Sequence, residues 1–218
     1  GLKTWRNITN NPERDKFNIE LFAYQFGWSA RYPGDDGKLG NSNWNLISND
    51  NQLGIAIKEQ AEALLIKLEE DIKDLEKQKK NLPNQLGELT SAMGGLVGEE
   101  RAAQMAKVEE IKDGTALHDL EKTINNRKIQ IGRIKASLEN NATTNFYDNS
   151  GLDDIILSNE IHIPVNKTVT FKIRSRDVIH SVYMPMFRSQ INAVPGLPTE
   201  IVLKAIETTK DKRAKLNK

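Results

Sequence analysis

Apolar residues recur at alternating steps of four and three from Ala61 to Leu96. They run through Leu65, Leu68, Ile72, Leu75, Leu82, Leu86, Leu89 and Met93, with Lys79 in the one skipped place. This period marks one face of an α-helix and excludes a strand. A second seam holds Leu117, Leu120, Ile124, Ile131, Ile134 and Leu138, with Arg127 in the place between Ile124 and Ile131. The outward positions are Lys, Glu, Asp and Gln, so each helix has a narrow apolar stripe and is unstable alone in water. Pairing the stripes buries both. Gly94-Gly95-Leu96-Val97-Gly98 lies between them and supplies the turn, which makes the arms antiparallel. An arm of ~35 residues reaches ~50 Å at 1.5 Å per residue. Pro83 is expected to kink or break the first arm, and Gly114 and Gly132 to weaken the second.

The flanks have a different period. Phe17 to Tyr24 mixes aromatic and β-branched residues and reads as a strand that Gln25 to Tyr32 continues, before a turn at Pro33-Gly34-Asp35-Asp36-Gly37. Ile155 to Leu157, Glu160 to Pro164, Thr168 to Ile173, Val178 to Tyr183 and Glu200 to Ile206 are further strand candidates. In the third of these, Val169, Phe171 and Ile173 are expected to point inward, with Thr170 and Lys172 outward. Short strands separated by turns indicate a sandwich or Greek-key barrel. The fold class is therefore α+β. Residues 1–54 and 141–218 form a discontinuous β domain, and residues 55–140 form an inserted antiparallel coiled-coil hairpin.

Hydrophobic residues make up 38% of the 218, below the roughly 45–50% usual for globular chains. That suits a modest core joined to a solvent-washed element. The net charge is +1, so no basic field points to nucleic acid. The lysines from Lys210 to Lys218 read as a solvated tail. There is no cysteine, which excludes disulfides, thiol nucleophiles and thiolate metal sites within these residues. No apolar run approaches the roughly 20 residues of a membrane helix, and no signal peptide is visible. Gly1 is consistent with a scar of tag removal. Hydrolase and phosphate-loop motifs are absent. His118, near the second seam, reads as a solvated or packed histidine, with no other ligand at metal spacing.

Three segments carry a resemblance. The first is Gln25-Phe26-Gly27-Trp28-Ser29-Ala30-Arg31-Tyr32-Pro33-Gly34. The second is Glu160-Ile161-His162-Ile163-Pro164-Val165. The third is Ser175-Arg176-Asp177-Val178-Ile179-His180-Ser181-Val182-Tyr183-Met184-Pro185, followed by Phe187-Arg188 and Ala193-Val194-Pro195-Gly196. In this order they resemble the periplasmic domain of cytochrome c oxidase subunit II over roughly 100 residues. The hairpin lies outside the matched segments.

The resemblance implies a cupredoxin-like Greek-key β-sandwich at the periplasmic face of a bacterial inner membrane. It implies transfer of electrons from cytochrome c toward haem a of subunit I. Its cofactor is CuA, a dinuclear copper centre, and His180 stands at the place of one copper ligand. The family's remaining ligands, two cysteines among them, come from a later loop, so the expectation is a chain cut off before it. His162 gives no second ligand on motif grounds. Phe26 stands where the family has the tryptophan that receives electrons, Trp28 keeps the second aromatic place, and Asp177 belongs to the same docking region. Asn192 replaces an aspartate near the expected interface with subunit I. The hairpin 55–140 offers a surface for another respiratory component. The alternative reading is a periplasmic adaptor, a β domain carrying a helical hairpin with no redox role. That reading leaves Asp177-Val178-Ile179-His180 unexplained.

Overall fold

The structure, a computed structural model, describes residues 17–216. Gly1 and Lys218, which enter the readings above, lie outside them. The chain divides into two compact units. One contains the described residues up to Ser42, Ile55–Ile57 and the chain from Asp148 onward, and the other contains Asn43–Gly54 and Lys58–Tyr147.

In the first unit, β1 (Asn18–Tyr24) and β2 (Gly27–Tyr32) pair antiparallel, with Tyr24 opposite Gly27. The expected single strand through Tyr32 is thus a hairpin that reverses at Gln25 and Phe26. Reversal brings Ala30 into the same apolar cluster as Leu21 and Ala23, burial that one extended strand cannot supply. A side chain at Gly27 would sit 2.9 Å from Asn159 Oδ1, so glycine fits this turn. Strand β3 (Ile155–Ser158) pairs antiparallel with β2, β4 (Thr168–Ser175) parallel with β1, and β7 (Thr199–Lys204) antiparallel with β4. The mixed sheet has the order β3-β2-β1-β4-β7.

Strands β5 (His180–Met184) and β6 (Ser189–Ala193) form a separate ribbon. Val182 and Ala193 of the ribbon join Ile19, Leu21, Val169, Phe171 and Ile173 of the sheet in one buried cluster. Each large side chain there contributes about 1.5–3 kcal/mol by leaving water. Thr170, expected to face outward, is buried as well, because β4 is a central strand paired on both edges. Glu160 to Pro164 is not a strand. Only Val165 makes a bridge, to Ala205, and Pro164 has no N–H for a ladder. Val178 and Ile179 precede β5 and are exposed. The short α4 (Thr209–Leu216) starts where Thr208 Oγ1 accepts the Asp211 N–H.

The second unit holds α1 (Lys58–Ala92), a 3-10 turn at Met93–Gly95, α2 (Gly98–Lys112) and α3 (Thr115–Glu139). Ion pairs Glu69–Lys135, Glu76–Lys128 and Lys79–Glu121 fix α1 and α3 antiparallel. Ala61, Leu68 and Ile72 of α1 and Ile124 and Ile134 of α3 are buried. Lys79, the interruption of the first seam, reaches Glu121 at 2.6 Å. Arg127, the interruption of the second, donates to Gln130 Oε1. Pro83 does not break α1, which runs on to Ala92. Gly114, at φ 85°, divides the second arm, whereas Gly132 lies within α3. No helix among the described residues is long and apolar enough to cross a membrane.

Candidate functional site around His180

The loop from β4 to β5 carries Asp177 and presents His180 at the first position of β5. Asp177 Oδ1 lies 2.7 Å from His180 Nε2 and accepts the Val178 N–H at 2.7 Å. Its Oδ2 accepts the Gln25 N–H at 2.6 Å, which ties this loop to the β1–β2 turn. Ser175 Oγ donates to the Val178 carbonyl and closes the loop from the other side. Trp28 meets His180 edge to face, with ring centroids 5.8 Å apart at 72°. The bond to His180 is the main reason the Asp177 carboxyl lies low, at about 2. Partial desolvation opposes it, and the Val178 and Gln25 amides assist.

The structure therefore brings Trp28, Asp177 and His180 together. Phe26 touches none of them through a ring contact and stands 95% exposed. Val178, Ile179, Tyr183, Met186 and Leu197 are also exposed large apolar residues in the segments that bear the site. Asn192 is opposite Ser181 in the ribbon, and its carbonyl accepts from Thr199 Oγ1. The other two histidines are elsewhere: His118 is exposed on α3, and His162 pairs with Glu160 at 2.9 Å.

Residue patterns did not single out a second polar cluster in the β unit. The Arg31 guanidinium binds Glu20 at 2.6 Å, Asp154 at 2.7 Å and the Gly40 carbonyl at 2.9 Å. Arg174 takes the other oxygen of Glu20 and lies over the Phe22 ring. Burial pushes the Asp154 carboxyl up, and Arg31 opposes that shift. Once the reversal at Gln25 is known, hairpin register exposes the pair, because Glu20 stands directly opposite Arg31.

A thiolate-bridged copper pair needs bridging cysteines and several further donors. The chain has no cysteine, and the described residues contain no group of three or more acidic or histidine side chains placed to hold an ion. These residues do not fit a dinuclear copper centre, for they offer it one imidazole.

No protein-family model matches the chain. The alternative cytochrome c oxidase subunit 2 of Bradyrhizobium diazoefficiens is 38% identical over 209 residues, 95% of this chain and 43% of that protein. The cytochrome c oxidase subunit 2 of Thermostichus vulcanus is 51% identical over 47 residues, 22% of this chain and 14% of that protein. Among solved structures, the periplasmic domain of a cytochrome oxidase subunit II from Bradyrhizobium japonicum aligns with 88% of this chain and 65% of that one, at 16% identity and a TM-score of 0.31.

Sequence and site together define an oxidase subunit rather than a free-standing enzyme. The chain is a relative of the cytochrome c oxidase subunit 2 family. It spans less than half the length of the Bradyrhizobium relative. An alignment over 95% of the chain also has room to leave out only a few residues, so it runs through the helical unit. The helices therefore lie inside the similarity to this relative, where the three motif segments alone had left them outside.

Proposed function

We propose that the β unit is the cupredoxin-like domain of an oxidase subunit 2, at the periplasmic face of a bacterial inner membrane. Its His180 edge serves electron uptake from cytochrome c toward haem a of subunit I. One observation carries this reading: the first and third motif segments, far apart in sequence, converge where Gln25 and Trp28 meet Asp177 and His180. The exposed Phe26, Val178, Ile179 and Leu197 supply apolar surface that a docking partner would cover. Phe26 keeps a docking ring there but lacks an indole N–H. In a full-length parent, His180 supplies one ligand of CuA and the thiolates come from another stretch of sequence. The helical unit serves as a contact for a further respiratory component.

The test uses the full-length subunit in its assembled oxidase. His180→Ala is expected to remove the purple copper absorbance and lower cytochrome c oxidation by more than about tenfold. Unchanged absorbance and turnover would overturn the reading and leave the adaptor role in its place.

A further inference from the structure

We infer that Asp177 is a positioning residue that locks His180 in a single tautomer before any metal arrives, with the proton on Nε2 and the lone pair on Nδ1. An ionised carboxylate only accepts hydrogen bonds, so the nitrogen facing it at 2.7 Å must be the donor. Asp177 cannot simply turn away, because its two oxygens also accept the Gln25 and Val178 N–H groups, at 2.6 and 2.7 Å. Rotation of the carboxylate would strand two backbone donors. The Trp28 edge restrains the imidazole from another side. Nδ1 has no hydrogen-bond partner among the described residues, so the one lone pair of the ring is left for an electron-pair acceptor, a metal ion or a proton donor. With one imidazole and no thiolate, these residues are a pre-set half-site whose other donors come from elsewhere.

This inference concerns the metal-free chain and stands apart from the electron-uptake reading. A wrong tautomer would sink it and leave that reading intact, and the converse also holds. The experiment is long-range nitrogen–proton correlation NMR of the histidine rings in the metal-free, nitrogen-15-labelled chain at mildly alkaline pH. His180 is expected to show a pyrrole-like Nε2 and a pyridine-like Nδ1, while exposed His118 and His162 serve as references. Asp177→Ala is expected to move His180 to an averaged tautomer pattern and leave the two references where they are. A His180 with its proton on Nδ1, or already averaged in the unaltered chain, overturns the inference. So does a folded Asp177→Ala chain with an unchanged His180. The unaltered chain decides by itself if the variant does not fold.

Discussion

Arg31, Glu20 and Asp154 have side chains at most 6% exposed, and every charge among them has an opposite partner. Such a group is weak as a source of net stability, but removing one member leaves uncompensated charge in a dry site. Arg31→Met is therefore expected to destabilise the β unit by about 3–5 kcal/mol in urea unfolding. By contrast, Lys135→Met, which removes an exposed ion pair with Glu69, is expected to change stability by less than about 1 kcal/mol. The pH dependence of Asp177 has a definite sign. Its folded carboxyl lies at about 2, below the roughly 3.9 of an unfolded aspartate. The stability it contributes is fully present above the unfolded value and is lost as pH falls from about 4 toward 2. Unfolding curves across that window should flatten in Asp177→Ala, and an unaltered slope would show the carboxylate unpaired. His180 and Asp177 were legible because they share one short run. The Arg31 cluster draws on β1, β2 and the segment before β3, and only the strand register brings these together.

Helices were legible in proportion to their period. The two seams give α1 and α3 almost residue for residue, since burial on one face enforces the repeat. Strand β6 escaped notice because Ser189-Gln190-Ile191-Asn192-Ala193 carries only two apolar residues, and its place depends on β5 across the ribbon. The expected break at Pro83 failed for a physical reason. Pro83 is exposed in α1, where water can take the carbonyl that loses its donor. The lost bond is still a cost, so Pro83→Ala is expected to raise the melting temperature of the helical unit in far-ultraviolet circular dichroism. The gain has an upper limit of about 3 kcal/mol. Gly114 should respond in the opposite direction. Its φ of 85° lies in the left-handed region, and no neighbour lies close enough to clash with an added Cβ. Gly114→Ala is then expected to cost about 1–2 kcal/mol through backbone strain alone. A neutral result would mean that the joint between α2 and α3 rearranges.

On the scale of the whole chain, two units fold from interleaved stretches of sequence. That requires the β unit to hold together the ends from which the other unit departs. Contacts within it do so. Ser42 bridges Ile55, the Ala56 N–H reaches the Asn41 carbonyl at 2.8 Å, and Gly40 packs directly on Gly151. A Cβ on Gly40 would lie 2.3 Å from Gly151 Cα, and one on Gly151 would lie 2.4 Å from Ile55 Cγ2. These segments touch backbone to backbone, without help from any helix. Replacing Asn43–Gly54 and Lys58–Tyr147 with two short Gly-Ser linkers should therefore leave β1, β2 and β4 protected in amide hydrogen exchange. The reason is energetic as well as geometric, because all nine buried members of the apolar cluster belong to the β unit. A longer flexible link adds closure entropy only slowly, about 0.6 kcal/mol per doubling of its length. Loss of protection in β1 and β4 would show that the sheet borrows its stability from the helices, and that the two units are one cooperative body.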